Sequence, residues 1–211
     1  MTDNKNGSFI VFEGLDGCGK STQIELLAER FAEQGIACEL THEQTNGRYG
    51  QLISDILSHR VRADERLTAA LFLADRIDHL TNEENGICKL ICEGVNVISD
   101  RYYYSSFAYQ GVSLPMDWIM SLNKPCREIL TPTMCIFIDI APERAFERLT
   151  AGRETLELYE KLEYLSKVRG KYFEAFEKLR DTERVYIVDG DRPEEEIHAE
   201  IWEIVKKNVA V

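Results

Sequence analysis

Residues 14–21 read Gly-Leu-Asp-Gly-Cys-Gly-Lys-Ser and fit the pattern G-x-x-x-x-G-K-[ST]. The chemistry of this loop demands a particular setting. Consecutive backbone amides must converge on a phosphate chain, so the loop has to leave a buried strand and open a helix whose N-terminus faces the anion. Both flanks comply. The apolar run Phe9–Phe12 precedes the loop, and the amphipathic stretch Ser21–Gln34 follows and closes at Gly35, a natural C-cap. Within the loop, Gly14, Gly17 and Gly19 let backbone approach phosphate without Cβ clashes. Lys20 is placed to reach the terminal phosphates and the Ser21 hydroxyl to ligate Mg²⁺.

A strand of this kind needs neighbours. Val95–Ile98, Cys135–Ile138 and Val185–Val188 are short Val/Ile/Phe-rich runs of buried-strand character, and Cys38–Thr41 is a weaker one. Helical periodicity lies between them. Asp64–Thr81 carries Leu67, Ala70, Leu71, Ala74, Ile77 and Leu80 at spacings suited to one helix face, Leu156–Leu179 is a second long helical stretch, and Pro193 opens a last helix. Strands alternating with helices predict an α/β fold, a five-stranded parallel sheet flanked by helices, in one domain over 1–211. Ligands of such sheets bind beyond the carboxyl ends of the strands.

Composition narrows the partners. Net charge is −12 over 211 residues, which disfavours a broad nucleic-acid footprint and leaves small-molecule substrates. The acidic stretches Glu154–Glu163 and Glu194–Glu203 read as solvated helix faces. The six cysteines form no C-x-x-C pair and no zinc pattern, which favours a reducing compartment. Cys88 and Cys92, one helical turn apart, read as two small core residues on one face. The start, MTDNKNGS, lacks a secretion signature, and no apolar run has the length of a membrane span, so the expectation is a cytoplasmic protein without a membrane partner.

A metal beside the loop calls for a carboxylate at another strand end, and Asp100 and Asp139 both qualify. Asp100 is favoured because Arg101 follows it, setting a carboxylate and a guanidinium together. The phosphate acceptor is the open question. The tetrapeptide Asn123–Cys126, NKPC, lacks the aspartate of a guanine-reading motif and follows no strand, so it is set aside. More informative is DRYYYSSFAYQG, Asp100–Gly111, where hydroxyls crowd the ligand-binding edge as if to recognise a polar aromatic ligand. In LFLADR, Leu71–Arg76, Phe72 and Arg76 share a helix face: a ring to stack on a base and a guanidinium to bond its edge.

With FEGLDGCGKSTQ, LFLADR, DRYYYSSFAYQG, EKLEYLSKVRGKYFE and DGDRP spread over most of its length, the sequence resembles the thymidylate kinase family, which phosphorylates dTMP with ATP. The resemblance implies a P-loop NTPase fold, a mobile lid near 150–160, ATP and Mg²⁺ as cofactors, and a homodimer. It implies roles as well. Gly14, Leu15, Asp16, Gly17, Cys18, Gly19, Lys20, Ser21 and Thr22 would hold ATP, and the segment Asp189–Pro193, with Arg192, would pass its adenine. Asp16 would also face the dTMP sugar and phosphate, and Arg101 would hold the acceptor phosphate. Phe72 would stack on thymine, Arg76 would bond its carbonyl edge, Ser106 would contact the base, Tyr109 would lie under the deoxyribose, and Gln110 would add a base or sugar contact. Ser21 and Asp100 would hold the metal. One subgroup of the family carries a catalytic arginine inside the phosphate loop. This loop has none, so the lid would supply it, Arg153 first and Arg148 second.

One segment departs from the family. Many relatives read T-R-E-P where this chain reads Thr41-His42-Glu43-Gln44, so a rigid proline is missing beside the acceptor. Arg48 or Tyr49 would then supply contacts. The departure keeps alternatives open: a kinase for another nucleotide or a deoxynucleoside, or a nucleotide-binding regulator without catalysis.

Overall fold

The computed structural model describes residues 6–150 and 158–209. Five parallel strands, β1 (Phe9–Glu13), β2 (Cys38–His42), β3 (Asn96–Asp100), β4 (Met134–Asp139) and β5 (Val185–Asp189), form one sheet in the order β2-β3-β1-β4-β5. All five coincide with the predicted runs, each extended toward its carboxyl end. β1 lies at the centre and is buried at every residue, as a strand covered on both faces must be. The β1–β3 register pairs Phe12 with Asp100, and the β1–β4 register pairs Glu13 with Phe137. Three strand-end carboxylates, Glu13, Asp100 and Asp139, therefore reach the same edge of the sheet.

The long helices also match: α1 (Lys20–Glu33), α3 (Glu65–Thr81), α9 (Leu158–Leu179) and α10 (Glu194–Asn208), the last opened by Pro193. Asp64 caps α3 by accepting from the Leu67 amide at 2.7 Å. The short helices α2 (Arg48–Leu57), α4 (Ile87–Cys92), α5 (Tyr103–Tyr109), α6 (Met116–Leu122) and α7 (Lys124–Ile129) were not anticipated, because they span too few turns for a periodic signal. The helix α8 (Pro142–Thr150) follows β4.

Two expectations about burial fail. The buried face of α3 runs through Thr68, Ala69, Asp75, Arg76 and Leu80, whereas Leu67 is 51% exposed. Hydrophobicity misleads here because the inner face of α3 forms a polar site, where Arg76 is paired with Glu43 and Asp75 accepts two hydrogen bonds from Thr45. Cys88 is half-buried and packs against the core, but Cys92 is exposed at the end of short α4, so the two are not a core pair.

Candidate active site

The phosphate loop is built as its sequence demands. Gly17 and Gly19 have φ of +83° and +100°, which L-side chains adopt only under strain. A Cβ on Gly17 would also stand 2.7 Å from the Ala145 carbonyl. The first turn of α1 contains no acidic residue, leaving its amide dipoles free for an anion. Lys20 is buried, its Nζ donating to the Gly14 and Leu15 carbonyls at 3.2 Å each. Arg148, on α8, ties the loop to its surroundings: it donates to the Cys18 carbonyl at 3.3 Å and to the Gly190 carbonyl at 3.2 Å.

The two candidate metal carboxylates differ. Asp139 is gripped by Arg169 of α9 through two bonds of 2.7 Å. Asp100 keeps a buried Oδ1 with no hydrogen-bond partner among the described residues. A buried oxygen without a donor suits a cation, so Asp100 with the exposed Ser21 hydroxyl fits a magnesium ion and Asp139 does not. No three His, Cys, Asp or Glu side chains gather for a metal among the described residues.

Next along the sheet edge stands Arg101, at φ +75°. It donates to Asp16 Oδ1 at 2.5 Å, Ser105 Oγ at 2.8 Å, Tyr172 OH at 3.2 Å and Tyr109 OH at 3.4 Å, and its guanidinium lies 5.1 Å from the Tyr109 ring centre. Beneath it Glu13 is fully buried. Glu13 accepts from the Tyr102 and Ser105 amides at 2.8 and 3.1 Å, from Ser105 Oγ at 2.6 Å and from Tyr172 OH at 2.8 Å. Burial raises the Glu13 carboxyl above its ordinary value, and Arg101 offsets part of that rise. For Arg101, burial acts to lower the pKa, but Tyr109, Tyr172, Asp16 and Glu13 outweigh it and keep the guanidinium charged. Burial pushes the Tyr109 phenol up to about 12, so its hydroxyl stays a hydrogen-bond donor at neutral pH.

The far end of the site centres on Arg76, 1% exposed. Its Nε and Nη2 both reach Glu43 Oε2, at 2.7 and 2.6 Å. Its Nη1 reaches Ser106 Oγ at 3.2 Å and Asn123 Oδ1 at 2.5 Å. Burial acts to lower the pKa, but Glu43 more than reverses this, so Arg76 remains a cation. A cleft of about 1050 Å³ joins the two arginines and is lined by Asp16, Phe72, Ser106, Tyr109 and Gln110 as well. Gln110 contributes a buried Oε1 without a donor among the described residues.

Several expectations change at this point. Tyr103 and Tyr104 do not line the cleft: both hydroxyls bond the buried Glu183, at 2.9 and 2.5 Å, because their rings fill the core between α5 and α9. The turn at Glu43–Thr45 needs no proline to hold it. The Thr45 amide and hydroxyl bond Asp75 at 2.8 and 2.6 Å, and Gln44 Nε2 donates to Ser54 Oγ at 2.7 Å. His42 is exposed at the cleft's rim.

The family model described as thymidylate kinase matches residues 12–201, a span that holds every element of this site. The chain belongs to the thymidylate kinase family. Curated relatives agree. A protein named "Probable thymidylate kinase" from Pyrococcus abyssi is 35% identical over 206 residues, covering 95% of this chain and 96% of the relative. One of the same name from Methanocaldococcus jannaschii is 36% identical, covering 95% of each. Another, from Staphylothermus marinus, is 31% identical over 99% of each. As a member of this family the chain is an ATP-dependent nucleoside monophosphate kinase.

Measured against a thymidylate kinase site, most predicted residues converge on the cleft or the phosphate loop. Arg48 does not: it is exposed at the start of α2 and is not among the residues lining the cleft, because α2 turns its first residue to solvent. Tyr49, also exposed, lies outside that lining as well. Arg192 is paired with Glu200 and bonds the Asp189 carbonyl at 3.2 Å. Arg153 and most of the expected lid lie outside the described residues. Sequence reasoning missed Glu13, Glu43, Asp75, Ser105, Asn123 and Tyr172. Glu13 alone had a readable signal, a carboxylate at the end of a wholly apolar strand.

Proposed function

We propose that this chain transfers the terminal phosphoryl group of ATP to dTMP, giving ADP and dTDP. The observation that carries the reading is one cleft with a paired arginine at each end and Asp16 of the phosphate loop on its rim. An arginine beside the loop suits the acceptor phosphate, and an arginine with a stacking ring, Phe72, suits a base. Arg76 offers a donor and Gln110 a donor-free acceptor. That pair complements a carbonyl next to an N–H, the edge of thymine. Tyr109 would lie under the sugar.

The acceptor is already an ionised phosphate, so the reaction needs little help from a base. Catalysis rests on positioning and charge neutralisation. The amides of residues 14–22 would cradle the ATP phosphates while Lys20 leaves its loop carbonyls to meet them. Ser21 and Asp100 would hold Mg²⁺, which supplies additional neutralisation of phosphate charge when bound. Arg101, oriented by Ser105, Tyr172 and Asp16, would align the attacking oxygen. A lid arginine, Arg153, would add charge only on closure. Arg148 is engaged with the phosphate loop and Gly190, which favours Arg153 for that role.

A homodimer is part of this reading, supported by the exposed apolar side chains Leu52 and Leu57 of α2 and Leu67 of α3. Light scattering during size exclusion tests it, and a monomeric mass refutes it. No helix among the described residues is long and apolar enough to cross a membrane. The six free cysteines support a cytoplasmic setting. The functional test is ADP release with Mg-ATP and dTMP, dUMP, dCMP, dGMP, UMP or thymidine. Selective turnover of dTMP is expected, and selective turnover of any other acceptor overturns the assignment.

A further inference from the structure

In the sequence Asn123 heads the tetrapeptide NKPC. In the fold it is 1% exposed, at the junction of α6 and α7, and its two polar atoms serve different ends. Nδ2 donates to the Ile119 carbonyl at 3.0 Å, closing α6. Oδ1 accepts from Arg76 Nη1 at 2.5 Å.

Arg76 has five N–H groups to place. Nε and one Nη2 hydrogen converge on a single oxygen, Glu43 Oε2. Nη1 divides its two between Ser106 and Asn123. One Nη2 hydrogen is left without a partner among the described residues. Two bonds to one oxygen make a pivot, about which a planar guanidinium can swing. The bond from the opposite corner to Asn123 arrests that swing. Ser106 cannot do so as firmly: its bond is longer, at 3.2 Å, and it lines the cleft, where a base can draw its hydroxyl away.

We propose that Asn123 is a specificity-determining positioning residue. By pinning Nη1 it holds Arg76 so that one N–H faces the base, which selects a 4-keto pyrimidine and rejects a 4-amino one. A keto oxygen accepts that hydrogen. An amino group opposes donor to donor and leaves a buried N–H unpaired. The inference rests on the dTMP reading.

The test compares Asn123→Leu and Asn123→Asp with the parent chain, measuring kcat and KM for dTMP and dCMP and the melting temperature. Leucine removes both bonds. Aspartate keeps an oxygen for Arg76 and loses the donor to Ile119. Expected for Asn123→Leu is a dTMP KM raised about tenfold to a hundredfold, little change in kcat, and a dTMP-to-dCMP preference reduced about tenfold. Asn123→Asp is expected to lower the melting temperature yet keep the preference. An unchanged preference in Asn123→Leu, or an equal loss in Asn123→Asp, overturns the proposal. Should the leucine variant fail to fold, Asn123→Thr replaces it. Its hydroxyl can serve Ile119 but is too short for Arg76, and an unchanged preference there overturns the proposal equally. Parent enzyme that ignores dTMP refutes the functional reading itself, whereas selective parent enzyme with an equally selective leucine variant refutes only the role of Asn123.

Discussion

The phosphate loop and the end of the cleft proposed to take the base are built by opposite means. The loop works with main-chain amides from consecutive residues, so its glycines must stand at fixed intervals and the site is spelled out in eight letters. The base end works with side chains. Arg76, Glu43, Ser106 and Asn123 come from α3, the turn after β2, α5 and the α6–α7 junction, and no local spacing announces them. The contrast teaches where each site is vulnerable: the loop to changes in backbone freedom or in its lysine, the base end to the loss of any member of a buried charge network.

Arg76→Ala should produce the largest effect. It leaves the buried Glu43 carboxylate with only its 3.5 Å contact to His79, at a cost of about 3–5 kcal/mol in stability, and removes the base donor. Chemical denaturation and dTMP kinetics would both register it. A variant of normal stability would mean that the two ends of the cleft are not built differently after all. Lys20→Ala should lower kcat at least about 10²-fold while leaving stability nearly intact, the signature of a group acting on substrate. Near-normal turnover would remove the loop from the donor role. Asp100→Asn should reduce kcat about tenfold or more and raise the Mg²⁺ concentration needed for half-maximal rate, whereas Asp139→Asn should leave the metal requirement alone. A reversed outcome would exchange the two carboxylates.

The smallest effect concerns pH. Burial raises Glu13 above its ordinary 4.5, so the folded chain holds that proton more tightly than the unfolded chain. The residue's contribution to stability is full below pH 4.5 and is lost as pH rises through the folded value. Melting profiles of Glu13→Gln should therefore fall less steeply with pH than those of the parent chain over that interval. Parallel profiles would contradict the assignment.

The same contrast explains what could be read beforehand. Five strands, the long helices and the phosphate loop are local patterns, and all were visible. Phe72 and Arg76 were found because one helix turn separates them. Their partners were not, because Glu43 and Asn123 become neighbours of Arg76 only after the chain has folded. The face of α3 departs from its apolar stripe for a related reason: its inward residues include Thr68, Asp75 and Arg76, and hydrophobicity assigns such residues to solvent. The aromatic run at Tyr102–Tyr104 misled in the other direction, since its hydroxyls serve the core.

The β1–β3 register has a practical consequence. Phe12 pairs with Asp100, and the Arg101 amide bonds the Phe12 carbonyl at 2.9 Å, two residues before the phosphate loop begins. The proposed gap for phosphoryl transfer is thereby measured out by main-chain pairing, as on a ruler, while the walls proposed to choose the acceptor hang on α3 and α5. An engineer seeking a different nucleotide could rebuild those walls and leave the ruler untouched.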